Sequence, residues 1–366
     1  YESLVGDKKG FLLESYDKNY DRYTFFGMEP EEIVTSRGNA LVITKADGTE
    51  EVREGNPLER LKEYYSEFHI EKEDEELSFS GGLVGNLGYD FVRYSEALPD
   101  NNPDEIGIET IQMMLMTSFL MVDHVAETLT AVVLEEPSEE GREQAMEKAG
   151  QMIKKAMEKK ECKRNFYHDG KIIKKSDSIE EYGEKVEKIK HYIREGHVFQ
   201  TVLSQRWTIE TRQTGFELYK ELRELNPSPY LYYFNYGTFE VIGSSPEMIV
   251  KKQGNKVFTC PIAGTRKRGK DEAEDKRLRD ELLSDEKERA EHVMLVDLAR
   301  NDMGRISEFG TVKVTQFMEV QNYSHVMHIV SQVEGRKKGE SHPLDLVASF
   351  LPAGTLSGAP KIRAME

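Results

Sequence analysis

Residues 178–196 read SIEEYGEKVEKIKHYIREG, and residues 198–209 read VFQTVLSQRWTI. The first stretch has the apolar spacing of three and four residues that is typical of an amphipathic helix. Ser178 and Glu181 match a capping box at its start, and Gly196 supplies a stop signal. The apolar face consists of Ile179, Tyr182, Val186, Ile189 and Ile193.

The second stretch alternates like a β-strand. The alternation puts Gln200 and Ser204 on one face, opposite Phe199 and Trp207. A polar stripe of this kind occurs both at solvent-facing strands and in ligand cavities, and the stripe alone does not choose between them.

Outside this region, residues 1–135 mix short β-rich runs with turns, and residues 136–175 are highly charged, as expected of a boundary region. Gly254 predicts a hairpin turn, and residues 285–300 predict another helix. Because strands and helices follow one another without regular βαβ alternation, we expect an α+β fold with mostly antiparallel sheets. We predict an N-terminal subdomain over residues 1–165 and a catalytic region over residues 166–366.

The composition and net charge limit the classes of protein to which the chain can belong. The 366 residues are 38% hydrophobic and 32% charged, as in globular proteins, and no apolar run is long enough to span a membrane. The net charge of −17 argues against nucleic-acid binding and means that an anionic substrate needs a cation or a local basic cluster. Only two cysteines, Cys162 and Cys260, and no signal-peptide pattern predict a cytoplasmic protein.

The predicted helix at 285–300 carries a candidate metal site. Glu288 and Glu291 lie three residues apart on one helical face, a spacing at which two carboxylates can bind Mg²⁺. The alternative is a solvated helix start in which Glu288 lies behind the capping residue Asp285.

Two further features have both a functional and a plain structural interpretation. His328 lies in an apolar, strand-like run, where a histidine is either a core residue or a group titrating near neutrality. Arg266, Lys267 and Arg268 form a local positive cluster, which is either an anion contact or a solvated loop.

Several ordered motifs resemble those of the chorismate-utilising enzymes, and the resemblance covers nearly the whole chain. The matching stretches are Leu12-Leu-Glu-Ser15, Gly81-Gly-Leu-Val-Gly85 with Gly88-Tyr-Asp90, Phe199-Gln-Thr-Val-Leu-Ser-Gln-Arg206, Asn226-Pro-Ser-Pro-Tyr230, Gly243-Ser-Ser-Pro-Glu247, Pro261-Ile-Ala-Gly-Thr265, Lys287-Glu-Arg-Ala-Glu-His292 continuing to Asp302, His325-Val-Met-His328, and Pro352-Ala-Gly-Thr-Leu-Ser-Gly-Ala-Pro-Lys361.

The resemblance implies two packed antiparallel sheets flanked by helices, and Mg²⁺ bound to the ring carboxylate of chorismate. It places Glu291 on the metal, with Glu288 in or beside its ligand sphere. It gives Glu247 the role of general acid near the departing 4-hydroxyl, and it links His328 to the aromatising pyruvate elimination. Substrate-contacting positions are Gly264, Thr265 and Thr355.

Two positions separate branches of this family. Isochorismate-forming members have a water-activating lysine in place of Gln200, and aminodeoxychorismate-forming members have a nucleophilic lysine in place of Ala263. An amide is no base and a methyl group is no nucleophile, so both positions favour attack by ammonia at C2 and loss of pyruvate to give anthranilate. The alternatives are aminodeoxychorismate formation and an inactive fragment that binds tryptophan and docks an amidotransferase.

The resemblance also implies a tryptophan feedback site and a glutamine amidotransferase partner. The site would consist of Glu14, Ser15 and the segment Asn226, Pro227, Ser228, Pro229 and Tyr230. The sequence starts at Tyr1 without Met and stops at Glu366 in what reads as the opening of a helix, so we expect both ends to be incomplete. The family pattern also continues past Lys361 with a second metal carboxylate and an arginine.

Overall fold

A computed structural model describes residues 1–366 except positions 3, 7, 16–21, 71–78, 159–166, 168, 324 and 340. Its helices are α1 (Pro57–Ser66), α2 (Glu139–Met157), α3 (Ile179–Arg194), α4 (Gly215–Leu225), α5 (Glu272–Ser284), α6 (Glu286–Ile306), α7 (Pro343–Phe350) and α8 (Lys361–Met365). Its strands are β1 (Gly10–Glu14), β2 (Tyr23–Met28), β3 (Glu32–Ser36), β4 (Ala40–Lys45), β5 (Glu50–Glu54), β6 (Gly82–Leu87), β7 (Ile111–Met116), β8 (Ser118–Asp123), β9 (Thr128–Val133), β10 (Lys171–Lys175), β11 (Gln200–Thr201), β12 (Trp207–Glu210), β13 (Tyr230–Asn235), β14 (Glu240–Ser245), β15 (Lys251–Gln253), β16 (Lys256–Thr259), β17 (Ile262–Lys267), β18 (Lys313–Asn322), β19 (Val326–Arg336) and β20 (Gly358–Ala359). None of the helices in these described ranges is long and apolar enough to cross a membrane.

The chain forms two compact units, each built from separate segments. Unit 1 comprises Tyr1–Tyr94, Asp104–Phe166 and Gln213–Pro246, and unit 2 comprises Ser95–Pro103, Tyr167–Arg212 and Glu247–Glu366. The functional division at residue 165 stays a prediction, because a compact unit is not by itself a functional one.

Unit 1 contains a six-stranded sheet, β14-β13-β1-β2-β8-β9, and a five-stranded sheet, β5-β4-β3-β7-β6, with every adjacent pair antiparallel. Phe11 and Phe119 of the first sheet pack with Met114 and Met116 of the second in one buried cluster. Aromatic and thioether side chains of this size supply most of the hydrophobic stabilisation of such a core.

Unit 2 is organised around the long strand β19. Strands β16 and β17 pair with its C-terminal and N-terminal halves, and β18 also pairs with it; all three pairings are antiparallel. Helices α6 and α7 bury apolar side chains against Val257 and Val333, whereas Leu278 and Leu282 of α5 pack on Met327 and Ile329. The α+β prediction with mostly antiparallel sheets is confirmed.

Local predictions succeeded where the pattern was strong. Helix α3 begins after Ser178 with both hydrogen bonds of the capping box, and the turn at Gly254 joins β15 to β16. The predicted helix at 285–300 is α6, which Asp285 caps and which extends to Ile306.

The predicted continuous strand over residues 198–209 is wrong in its middle. Residues 200–201 pair with β20, whereas residues 207–210 pair with β10, so the chain leaves one ladder before joining another. The predicted sharing of one strand face by Gln200 and Ser204 fails for the same reason.

Candidate active site

Helix α6 positions the predicted acidic pair in unit 2. The Asp285 carboxylate accepts hydrogen bonds from the backbone N–H groups of Lys287 (3.0 Å) and Glu288 (3.2 Å), which fixes the first turn. Glu288 is mostly buried, and its Oε1 accepts from Arg266 at 3.3 Å. Glu291 is half-buried and makes no hydrogen bond or ion pair with a described residue, so its carboxylate is available to a ligand.

Arg266 does not belong to a free positive cluster. Its guanidinium contacts Glu281, Asp285 and Glu288 at 2.9–3.3 Å. Arg268 is likewise paired, with Asp275 at 2.6 Å. Acidic side chains therefore balance the charges of Arg266 and Arg268, and the sequence could not show this because the partners lie up to 22 positions away.

Gly264 lies in an irregularity of the β17–β19 ladder between Ala263 and Thr265. Its φ of +75° is in the left-handed region, and a Cβ here would lie 3.2 Å from Glu288 Oε2. Only glycine combines that backbone conformation with so close an approach. The bulge thus brings the backbone of β17 next to the Glu288 carboxylate.

His328 on β19 faces the same bulge. Its Nδ1 lies 3.0 Å from Thr265 Oγ1 and 3.2 Å from the Gly264 carbonyl oxygen. A carbonyl oxygen only accepts, so this contact requires the proton on Nδ1 and leaves the lone pair on Nε2. Burial lowers the pKa of His328, opposed by the Gly264 carbonyl, so the ring is neutral near pH 7 and Nε2 can accept a proton.

Glu247 and Thr355 form a second group in unit 2. Thr355 Oγ1 donates to Glu247 Oε2 at 2.9 Å, although the two residues are 108 positions apart. Burial raises the pKa of the Glu247 carboxyl, and the Thr355 hydroxyl opposes that rise only in part. Both side chains line a cavity of about 30 Å³, together with Leu295, Asp302 and Gly354. A carboxyl with a raised pKa holds its proton to higher pH, which suits general-acid chemistry.

Gln200 lies beside the segment that carries Thr355. It pairs with Ala359 across the short β11–β20 ladder, and its half-buried amide makes no hydrogen bond with a described residue. The structure therefore brings Gln200 near the Thr355 loop, and joins His328, Thr265, Gly264 and Glu288 in one cluster.

Sequence reasoning missed a buried ion pair. Lys361 Nζ lies 2.6 Å from Asp302 Oδ2, and the side chains are only 7% and 6% exposed. Asp302 shares the buried face of α6 with Leu295, Ala299 and Ile306. A carboxylate at an apolar position of a helix was the available signal for this pair.

The predicted tryptophan-site residues come together in unit 1. Strand β1 pairs with β13, with Glu14 opposite Leu231, so Ser15 is placed next to Tyr230. The Ser15 hydroxyl is buried and has no hydrogen-bond partner among the described residues. Glu14 is occupied by Tyr219 at 2.5 Å and Arg223 at 3.3 Å, two contacts that the sequence did not suggest.

The remaining residues of this set lie in the α4–β13 connection. Asn226 is the C-cap of α4, and its carbonyl oxygen accepts from Ser244 Oγ at 2.8 Å. Pro227 and Pro229 flank the buried Ser228 in this short loop. The loop is thereby held against β14 in the same unit.

The acidic pair meets part of the requirement for a metal site. Within the described ranges, no group of three or more His, Cys, Asp or Glu side chains is placed to hold an ion. Mg²⁺ is commonly bound by one or two protein carboxylates with water and substrate oxygens as the other ligands. Glu291 and Glu288 therefore fit a Mg²⁺ site in which water and substrate oxygens supply the other ligands.

The matches to known proteins agree with this geometry. The model of the chorismate binding enzymes matches residues 10–366. The chain belongs to this family. It is 42% identical to anthranilate synthase component 1 of Acetivibrio thermocellus, covering 97% of this chain and 74% of the relative. It is 40% identical to the component 1 of Neisseria meningitidis, covering 100% and 76%.

Two solved structures have the same fold as this chain. Anthranilate synthase component I of Streptococcus pneumoniae superimposes with a TM-score of 0.82 at 35% identity, covering 94% of this chain and 75% of that one. The menaquinone-specific isochorismate synthase of Escherichia coli gives a TM-score of 0.68 at 13% identity, covering 99% and 73%, which supports the fold alone.

Proposed function

We propose that the chain catalyses the formation of anthranilate from chorismate and ammonia as the synthase component of an anthranilate synthase. The observation that carries the proposal is the near full-length similarity to relatives of that name, at 42% and 40% identity. Position 200 is glutamine and position 263 is alanine. Neither side chain can activate water or attack the ring, so ammonia is the nucleophile that this site favours.

The site supplies an acid for the first step. Ammonia adds at C2 of the ring while the 4-hydroxyl leaves as water, taking the proton of Glu247. Thr355 orients the Glu247 carboxyl through the 2.9 Å hydrogen bond. Burial holds the pKa of Glu247 above its usual range, so a larger fraction of the acid is protonated at neutral pH.

The site also supplies a base for the second step. The C3–O bond to the enolpyruvyl group breaks as the ring loses its C2 proton and becomes aromatic, and the released enolpyruvate gains a proton at its methylene carbon to become pyruvate. His328 is neutral with Nε2 free of its proton, and Thr265 and Gly264 fix the ring through Nδ1. A neutral imidazole held in this tautomer is suited to take that proton.

Glu291 and Glu288 are the residues that would hold Mg²⁺, which when bound neutralises the carboxylates of the substrate. A cation is required in any case, because a protein of net charge −17 repels a dianion.

Replacing Glu291 with Gln should lower turnover by about 10²-fold or more and raise the Mg²⁺ requirement. Asp297→Asn is the matched control, since it removes one charge from an exposed position of the same helix; equal effects of the two variants would exclude Glu291 as a ligand.

The deciding experiment identifies the product. The full-length protein is incubated with chorismate, Mg²⁺ and ammonium, and the products are separated and identified by mass spectrometry. Anthranilate with pyruvate is expected. Aminodeoxychorismate without pyruvate would instead support the aminodeoxychorismate synthase alternative, and unconverted chorismate would contradict the catalytic proposal.

We also propose a cytoplasmic location, a glutamine amidotransferase partner and inhibition by tryptophan. The relatives are named component 1, which implies a second component, and the two cysteines suit a reducing compartment. Glutamine should replace ammonium only when the amidotransferase is added.

The unsatisfied Ser15 hydroxyl supports the tryptophan site, because buried polar groups normally have partners.

A further inference from the structure

The loop of residues 351–360 in unit 2 is closed by one side chain. Lys361 Nζ donates to the carbonyl oxygen of Phe350 at 3.3 Å, which joins the two ends of the loop. The same Nζ donates to Asp302 Oδ2 at 2.6 Å, which ties the closed loop to helix α6. Both side chains are more than nine-tenths buried, so water does not replace either contact.

This loop contacts two of the residues assigned to catalysis, Glu247 and Gln200. Thr355, near its centre, donates to Glu247 at 2.9 Å. Its end forms β20, which pairs with β11 at Gln200. Two more backbone bonds continue the contact, from Phe199 N to Ala359 O (2.8 Å) and from Val202 N to Ser357 O (2.9 Å). A displacement of the loop would therefore move Thr355 away from Glu247 and would also displace β11, which carries Gln200.

A buried ion pair is poorly explained by stability alone. The desolvation cost of two buried charges commonly equals or exceeds their attraction, and an apolar pair of similar volume is often as stable. What the ion pair does provide is directionality, because Lys361 must reach one carboxylate and one carbonyl at the same time. Asp302 also lines the cavity that Glu247 and Thr355 line, so the Asp302–Lys361 ion pair, here called the tether, borders the same cavity as the acid.

We propose that Asp302 and Lys361 are positioning residues, which fix the 351–360 loop so that Thr355 orients Glu247 and β20 holds Gln200. Neither residue touches the reacting atoms. The catalytic half of this inference rests on the proposed function, whereas the tether itself does not.

The test uses Asp302→Asn, which keeps the shape of the side chain and removes its charge. Hydrogen–deuterium exchange should increase at least about tenfold in peptides covering residues 198–202 and 351–360, with no comparable increase in β16 to β19. Turnover should fall by about 10²-fold with the KM for chorismate nearly unchanged, because an acid is misplaced while the substrate still binds. Asp297→Asn, which breaks an exposed pair with Arg300 on the same helix, should change neither readout.

A second variant removes the risk that an unpaired buried charge simply unfolds unit 2. Asp302→Asn combined with Lys361→Met leaves no buried charge, so the fold should recover while the loop stays released. Protection of residues 351–360 at the parental level in this double variant would overturn the tether, as would exchange that rises equally throughout unit 2. If the parent protein makes no anthranilate, the proposed function fails, and the exchange measurement still decides the tether.

Discussion

At the residue scale, Glu247 determines the pH range in which the first step proceeds. The acid works in its protonated form, so activity is present below the pKa of Glu247 and is lost as the pH rises through it. Burial raises this pKa, and the Thr355 hydroxyl lowers it. Asp302 lines the same cavity, and the negative charge of Glu247 helps burial to raise the pKa of the Cys260 thiol.

Thr355→Val should therefore move the high-pH limb of the kcat profile to higher pH, because it removes a donor that favours the charged carboxylate. The profile is measured with saturating chorismate, Mg²⁺ and ammonium. Thr315→Val, on the exposed surface of β18, is the control. A limb that stays in place or moves to lower pH would contradict Glu247 as the acid.

Gln200 tests the nucleophile at the same scale. A lysine here, if partly desolvated, has a lowered pKa and can act as a base for water. General-base assistance is typically worth about 10²–10⁴-fold, which is enough for water to compete with ammonia. We expect Gln200→Lys to lose anthranilate formation and to gain traces of isochorismate, both measured by mass spectrometry. Parental rates of anthranilate formation in this variant would show that Gln200 does not face the reacting carbon.

At the element scale, the bulge of β17 sets the distance between strand and helix. In Gly264→Ala, the new Cβ would lie 3.2 Å from Glu288 Oε2, Ile329 Cδ1 and Leu282 Cδ1, in a backbone conformation that disfavours side chains. The strained conformation should cost about 1–2 kcal/mol in the free energy of unfolding, and displacement of Glu288 should raise the Mg²⁺ concentration needed for half-maximal turnover.

Gly254→Ala separates these two effects. Gly254 also has a positive φ, of 57°, but nothing lies within 4 Å of its Cβ position. It should lose similar stability by chemical denaturation and keep the parental Mg²⁺ requirement. If both variants change the Mg²⁺ requirement equally, the close approach of Gly264 to Glu288 has no role in metal binding.

At the scale of the whole molecule, tryptophan should stabilise the protein. A ligand that binds only the folded state adds about 2.7 kcal/mol to the free energy of unfolding at 100 times its Kd. We expect tryptophan to raise Tm and to inhibit turnover, and phenylalanine, which lacks the indole ring, to do much less. Ser15→Phe should abolish both effects while leaving ammonia-dependent activity largely intact, and Ser15→Ala should weaken both. Unchanged inhibition in the two variants would remove Ser15 from the site.

The sequence determined the local elements and the family. The 3–4 spacing and capping box of residues 178–196 depend only on neighbours within one helical turn, so α3 was predictable. The ordered motifs identified five candidate site residues: Gly264, Thr265, Glu288, Glu291 and His328. The structure brings all of them except Glu291 into one cluster, formed by β17, β19 and α6.

Which distant groups meet depends on the packing of the folded chain. Residues 198–209 looked like one strand because alternation reports a strand and not its partner; the chain in fact changes from β20 to β10. The sequence suggested that Arg266 carries an unpaired positive charge, and it gave no sign that Asp302 and Lys361 interact. In the folded chain Arg266 pairs with Asp285, and Lys361 pairs with Asp302. The reason is physical, because periodicity is set by bonds along the chain. The ion pairs of Arg266 and Lys361 and the pKa of Glu247 depend instead on contacts between residues 19, 59 and 108 positions apart, which only packing creates.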